Sequence, residues 1–306
     1  MSAGCIQGDR VSQLLDLASG QPVTAPGMTG IHALMPSFAP DGKKIAFNHY
    51  DVGQGHSLSV MDFDVTTKTF ANLTPIVTDP ASYLGWPAFM PDVKSFVFGS
   101  VTSQDYATWS GSHGDLYFID LASKTKTALD AANGIKAGQP YIPYGSADLH
   151  LNYEPTVLPL AVGGYYWAVF TSRRRLGNVI TGPDPWANGD RKKLWVVAID
   201  MNPTPGKDPS HAPFYLEGQE LAAGNMRGFW ALDPCKQNGV SCDSGDECCN
   251  GFCRQVNADG GTVLQCVPPP TGCANEFEKC NTAADCCDAN LGVQCIAGYC
   301  AAPATK

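Results

Sequence analysis

Twelve of the thirteen cysteines in this 306-residue chain lie between residues 235 and 300. Thiols at that density either close disulfides or hold metal. The first set is Cys235, Cys242, Cys248, Cys249, Cys253 and Cys266. The second is Cys273, Cys280, Cys286, Cys287, Cys295 and Cys300. The leading spacings are identical in the two sets, and each set contains an adjacent pair. Structural zinc favours paired ligands a few residues apart, often with histidine. Neither unit contains a histidine, and adjacent cysteines fit a tetrahedral ion poorly, so disulfides are expected. Spacing alone does not choose among the possible pairings. Units of about thirty residues cannot bury enough apolar surface to fold unaided, so bridges must replace a core.

Other reactive types are scattered. The six histidines are His32, His49, His56, His113, His150 and His211, and none belongs to a His-Glu-x-x-His or His-x-His pair. His49, Asp51 and His56 share the stretch HYDVGQGH, where a metal site competes with a solvated loop; the loop is the expectation. No Gly-x-Ser-x-Gly elbow occurs, and TWSGSHGD and YGSADLH read as polar turns. Asp243, Asp246 and Glu247 do not follow the ligand order of a calcium loop. Asp16, Asp62, Asp120 and Asp200 recur at the ends of similar phrases, which argues for turns, because a catalytic group is needed once. No catalytic residue, metal or cofactor is therefore expected. Trp167 and Trp195 fall in expected strands and read as core. Trp109 and Trp186 fall in long inserts, QDYATWSGSHGD and TGPDPWANGD. With His113 they are the candidate binding residues, since a loop Trp makes a strong recognition anchor. Asn72-Leu73-Thr74 is a glycosylation sequon, meaningful only in a eukaryotic host.

Composition limits the partners. The net charge is −9 and no long basic run exists, so nucleic acid is excluded; Arg173-Arg174-Arg175 is too short to change that. No apolar stretch is long enough for a membrane span. MSAGCIQGDR lacks the apolar core of a signal peptide. Ser2-Ala3-Gly4-Cys5 only weakly suggests a lipidation site, so Cys5 reads as a lone thiol in a chain recorded without its true start.

The elements that carry these residues repeat. PSFAPDGKKIAF (36–47), PAFMPDVKSFVF (87–98) and, more loosely, PTVLPLAVGGYYWAVF (155–170) each join a proline-bounded strand, a turn and an alternating apolar strand. SLSVMDFD, DLYFIDLA and KLWVVAIDM follow them, and SQLLDLASG precedes the first. Repetition of paired strands at this period predicts an all-β protein, a β-propeller of four-stranded blades. The phrases resemble TolB-type, WD-like propeller repeats over about residues 11–233, and VFTSRRRLGN before KLWVVAID resembles a turn between two blade strands of that family. Three full repeats and a strand fragment at each end are present. The expectation is a partial propeller with upstream blades missing; the alternative is a small ring closed by joining residues 11–17 to 224–233.

The cysteine units resemble knottins, the inhibitor cystine knots. That resemblance implies Cys235–Cys249, Cys242–Cys253 and Cys248–Cys266, then Cys273–Cys287, Cys280–Cys295 and Cys286–Cys300. The expected organisation is a propeller at 1–233, a first knottin-like module at 234–267, a proline linker at 268–272, a second module at 273–300 and a tail at 301–306. Bridges persist in oxidising surroundings, which places the protein outside the cytosol: secreted, periplasmic or at the cell surface. The TolB-type resemblance implies protein contacts in a bacterial envelope. The leading functional reading is a non-catalytic binding or scaffold protein whose propeller loops recognise a protein or polysaccharide. The alternatives are a secreted hydrolase, or a regulatory part of one, and a protease inhibitor acting through the knottin-like modules, where Arg254 is the one basic anchor.

Overall fold

The computed structural model describes residues 11–103, 106, 108, 112–175, 192–220, 223–231, 235–258 and 261–302. The chain divides into two compact units. One comprises Met1–Leu158 and Trp167–Phe229, the other Pro159–Tyr166 and Trp230–Lys306.

The first unit opens with a hairpin, β1 (Leu14–Leu15) and β2 (Pro22–Val23). The first sheet follows: β3 (Ala33–Phe38), β4 (Lys44–His49), β5 (Ser57–Asp64) and β6 (Thr69–Thr78). The second is β7 (Tyr83–Phe89), β8 (Ser95–Val101), β9 (Gly114–Asp120) and β10 (Lys126–Ala128). An insert then carries one helical turn, α1 (Asp130–Asn133), and a hairpin of β11 (Ile135–Lys136) and β12 (Gln139–Pro140). The third sheet is β13 (Asn152–Val157), β14 (Tyr165–Ser172), β15 (Lys193–Asp200) and β16 (Phe214–Tyr215). In all three sheets the strand order follows the chain, the up-and-down order of a propeller blade.

Turn chemistry sets the register. Between β3 and β4, Gly42 takes φ +69° and the Lys43 N–H bonds Asp41 Oδ1 at 2.9 Å. Between β7 and β8, Val93 takes φ +58° and the Lys94 N–H bonds Asp92 Oδ1 at 3.0 Å. The same Asp-anchored turn thus forms even where a β-branched residue must occupy the left-handed region. Each first strand is also bulged at one place. Met35, Trp86 and Glu154 take φ of 49°, 50° and 54°, each immediately before a proline of the repeated phrase. The register shifts across all three positions. Proline lacks a ladder donor, so a bulge is where a strand tolerates it. Arg227, at φ 38° before Gly228, continues the series.

The recurring aspartates mostly do what recurrence suggested. Ser19 donates its N–H and Oγ–H to Asp16 Oδ1, both at 2.8 Å, and Ser123 donates the same pair to Asp120 Oδ1 at 2.7 Å. In the first sheet the turn is held by Asp64, which accepts from the Thr66 and Thr67 N–H groups. Asp62 occupies the register position of Asp120 but instead meets Lys44 and Asn72. Asp200 also departs from the pattern: its carboxylate pairs with His211 Nε2 at 2.8 Å, and its N–H bonds Pro209 O at 2.9 Å.

Successive sheets pack face to face. Ala39, Ala46, Leu58, Val60 and Ile76 of the first sheet meet Leu84, Phe89, Phe96, Phe98 and Ile119 of the second. Trp167 and Trp195, expected in the core, are only half-buried. They stand edge-on to Phe214 and Tyr215 of β16, a two-residue edge strand too short to cover them.

The second unit holds both cysteine sets. All six implied bridges are present, each confined to its own set. β17 (Cys253–Ala258) pairs with β18 (Gly261–Cys266), and β19 (Gln294–Ile296) with β20 (Tyr299–Ala301). The two modules are not held apart by the prolines between them. Phe252 packs with Ala274, Cys280, Cys286, Val293 and Cys300, and the Lys279 N–H bonds Gly251 O at 2.8 Å. The protein is thus all-β: four-stranded propeller blades plus two small disulfide-rich modules.

Candidate functional site

Antiparallel order fixes which loops share an end of the blades. Each second-to-third strand connection (50–56, 102–113 and 173–192) leaves the end where the sheet-to-sheet connections 79–82 and 129–151 also lie. The opposite end carries mostly short Asp-anchored turns. The inserts 102–113, 129–151 and 173–192 therefore open at one end, while the 201–213 connection of the third blade lies at the other. Trp109 and Trp186, in two of these inserts, lie outside the described residues.

Three buried or half-buried arginines tie the inserts down. The Arg173 guanidinium donates to Ser112 O at 2.7 Å and to Tyr153 Oη at 3.0 Å, clamping the end of the 102–113 insert. Arg174 donates to Ala132 O at 2.6 Å and to Asn152 Oδ1, and lies over the Phe170 and Trp195 rings. Burial pushes its guanidinium down to about 10, so it stays protonated at neutral pH. Arg175 meets Asp148 twice, through its backbone N–H at 2.8 Å and Nε at 2.9 Å, and lies 3.7 Å from the Tyr144 ring centroid. Asn133 adds a further lock, accepting the Leu116 N–H and donating to Leu116 O like a strand neighbour. Tyr106 anchors the 102–113 insert from the other side, edge-on to Trp86 and donating to Gly55 O at 3.0 Å.

What these locks present outward is a rim of polar and aromatic groups. Tyr141 and Tyr144 are exposed, and the Tyr141 hydroxyl is fixed on Ala131 O at 2.6 Å. His150 is exposed with Nδ1 2.6 Å from Asp115 Oδ2. His113 is exposed at the neck of its insert, where its N–H bonds Thr102 Oγ1 and its carbonyl accepts the Thr102 N–H. The next residue, Gly114, donates to His150 O at 2.7 Å, so the two histidines share one seam. A Cβ at Gly114 would lie 2.7 Å from Asn152 O and from the Tyr153 ring, so only glycine permits this seam.

The remaining candidates resolve into structural roles. His56 Nδ1 faces the backbone carbonyls of Asp79 and Ser82, away from any shared site with His49. His49 lies between Ser59 Oγ, 3.1 Å away, and Asp51 Oδ2, 3.8 Å away, while His32 also meets Asp51. This looks like a Ser-His-Asp relay, but Ser59 is wholly buried and no substrate can reach it. Among the described residues, the sets of ligand-type atoms close enough for an ion are Cys242, Cys248, Cys253 and Cys280, Cys286, Cys300, and all six sulfurs are already bridged. Glu247 accepts from Lys236 Nζ at 2.7 Å and from the Asp243 N–H at 3.0 Å, a local brace. Arg254 is turned inward. Its Nε and Nη2 form a two-pronged pair with Glu278 at 3.0 and 2.7 Å, and Nη2 also reaches Cys273 O. Glu278 is 1% exposed and Arg254 is half-buried, so this pair ties one module to the other.

Sequence reasoning missed the 129–151 insert as part of this end. Its signal was present: LDAANGIKAGQPYIPYGSADLH is rich in turn residues and tyrosine, with Gly134 placed to stop a helical turn.

No protein-family profile and no curated protein matches the chain. Among solved structures, the chain aligns with a hydrazine synthase from Kuenenia stuttgartiensis at 15% identity, over 62% of this chain and 46% of that one, TM-score 0.33. It aligns with a xyloglucan-locus GH43B protein from Bacteroides ovatus at 15% identity, over 70% and 38%, TM-score 0.36. It aligns with a protein described as TolB from Agrobacterium tumefaciens at 19% identity, over 66% and 73%, TM-score 0.30. The chain thus spans less than half the length of the first two. The blade assignment rests on the three sheets themselves.

Proposed function

We propose that this protein is an exported, non-catalytic binding or scaffold protein, and that the loop-bearing end of its blades recognises a polysaccharide or protein. The observation that carries this reading is the use of Arg173, Arg174 and Arg175. All three are spent on fixing inserts of one end, and the fixed inserts present Tyr141, Tyr144, His113 and His150. Rigid aromatic rings flanked by hydrogen-bonding groups give contact area at little entropic cost. Trp109 and Trp186, within the sequence of the inserts 102–113 and 173–192, are proposed as further anchors. The cysteine-rich unit is read as a pair of knottin-like modules serving as a protease-resistant terminal head. An inhibitor role loses its basic anchor, since Arg254 is engaged by Glu278.

The test is capture without turnover. The full chain is incubated with immobilised polysaccharides and envelope proteins, and bound fraction and released products are both measured. Retention with no product is expected, and Tyr144→Ala or Trp186→Ala should weaken it by about 2 kcal/mol where the ring is a true anchor. Product release, or capture indifferent to Tyr141, Tyr144, Trp109 and Trp186 alike, would overturn the assignment.

A further inference from the structure

The repeat lets each sheet face be compared with its equivalent. Phe38 pairs with Ile45, and Ile45 with Met61; in the second sheet Phe89 pairs with Phe96, and Phe96 with Ile119. Phe38, Ile45 and Met61 therefore hold the places of Phe89, Phe96 and Ile119. In the second sheet that back face is covered by the front face of the first sheet, and Phe89 is 3% exposed. In the first sheet the middle of the same face is covered by Leu14, Ala25, Met28 and Ile31, but Phe38 is left 45% exposed against Phe63 and Phe70.

The third sheet shows the converse. Val169, paired with Thr156, holds the place of Ala46, paired with Ser37, on the front face that in the first sheet receives a neighbour. Here that face receives Gly228, which sits against Val169 and Leu194, and Thr156 Oγ1 donates to Gly228 O at 2.6 Å. The margin stays open: Phe214 is 51% exposed, and Leu216, Met226 and Phe229 are exposed as well.

We propose that the open back margin of the first sheet in one copy receives the open front margin of the third sheet in a second copy. The contact would continue an interface the chain already makes: inside one copy, a back face of this composition is covered by the front face of another sheet, and the third sheet carries the one front face that lacks a whole sheet against it among the described residues. The contact is head-to-tail, so each copy offers one of each margin, and two copies close on each other when the rotation permits. Front and back margins differ in residue type, which sets the polarity of the junction.

Analytical ultracentrifugation of the full chain across the micromolar range tests this. A species at twice 32.5 kDa is expected. Phe38→Ser and Phe214→Ser should each raise its dissociation constant by roughly tenfold or more, with unchanged circular dichroism, because both rings are already half-exposed in the single chain. An equimolar mixture of the two variants should recover part of the assembly through its one intact junction. Val263→Ser, on the exposed hairpin of the cysteine-rich unit, should change nothing. A chain that sediments at 32.5 kDa throughout, or an assembly that survives both phenylalanine variants, or one that Val263→Ser abolishes, would overturn the proposal.

Discussion

In the blades, Phe47, Phe96, Phe98, Phe118 and Phe170 are fully buried, and no cysteine occurs from residue 11 to the end of β16. In the cysteine-rich unit about half of the buried side chains are cysteines, and Cys242, Cys248, Cys253 and Cys266 form one cluster by themselves. The first region has enough length to wrap sheets around one another, so dispersion and apolar burial hold it. The second has too little, and each bridge contributes about 2–4 kcal/mol by restricting the unfolded chain. The difference teaches where each region is vulnerable. The blades fail when a ring is removed, the modules when a bridge is.

The largest effect should come from the blade core. Phe98→Ala removes a ring at the centre of the first sheet junction and should cost about 3–5 kcal/mol. Thermal melting followed by tryptophan fluorescence measures it, and the bridges should be untouched by peptide mapping. A loss below roughly 1 kcal/mol would mean the junction is loosely packed. Next comes the paired change of Cys248 and Cys266 to Ala. It should cost the modules about 2–5 kcal/mol and open them to protease while the blade melt stays in place.

Glu278→Ala sharpens the comparison inside the cysteine-rich unit. It leaves the bridges alone but strands Arg254, whose fork holds one module on the other. The cost should fall below the roughly 3–5 kcal/mol of a fully buried broken pair, because Arg254 is partly solvated. Hydrogen exchange should rise around Asn275 and Cys273, and an unchanged pattern there would show that the modules adhere through Phe252 alone.

The smallest effect is in acid. The hydrogen bond from Lys126 holds the Asp79 carboxyl below the usual carboxylate range, and Lys44 does the same for Asp62. A carboxyl depressed in the folded state adds stability above its unfolded value, near 3.9, and that stability is lost as pH falls through the folded value. Blade fluorescence should therefore lose stability below about pH 4, with Lys126→Met flattening part of that slope. Glu247 and Asp285 are depressed as well, but acid leaves the bridges closed, so the modules should stay compact where the blades loosen.

Much of the fold was legible because its determinants are local. The Pro-bounded phrases and Asp41-Gly42 announce strand, turn and strand within a dozen residues, and the cysteine spacing repeats openly. Equivalence of the aspartates was only partly legible. β5 runs longer than β9, so the turn role passes from Asp62 to Asp64, two residues that no periodicity separates. The candidate site was less legible still. An Arg-Arg-Arg run reads as exposed charge, and only the third dimension brings Ser112, Ala132 and Asp148 to it from three different places in the chain. The pairing of Arg254 was hidden for the same reason, since its partner Glu278 sits across a module boundary. Trp167 and Trp195 read as core from their strands, but burial depended on the length of β16, which the sequence around Phe214 does not announce.

Five of the six tryptophans lie in the first unit and Trp230 opens the second, so their fluorescence reports chiefly on the blades. Denaturant unfolding followed by that signal, with and without prior full reduction of the six bridges, tests the division most directly. The expected result is an unchanged fluorescence midpoint after reduction, with protease removing the chain beyond about residue 235. A midpoint that collapses on reduction would show that the blades lean on the bridges and contradict the account.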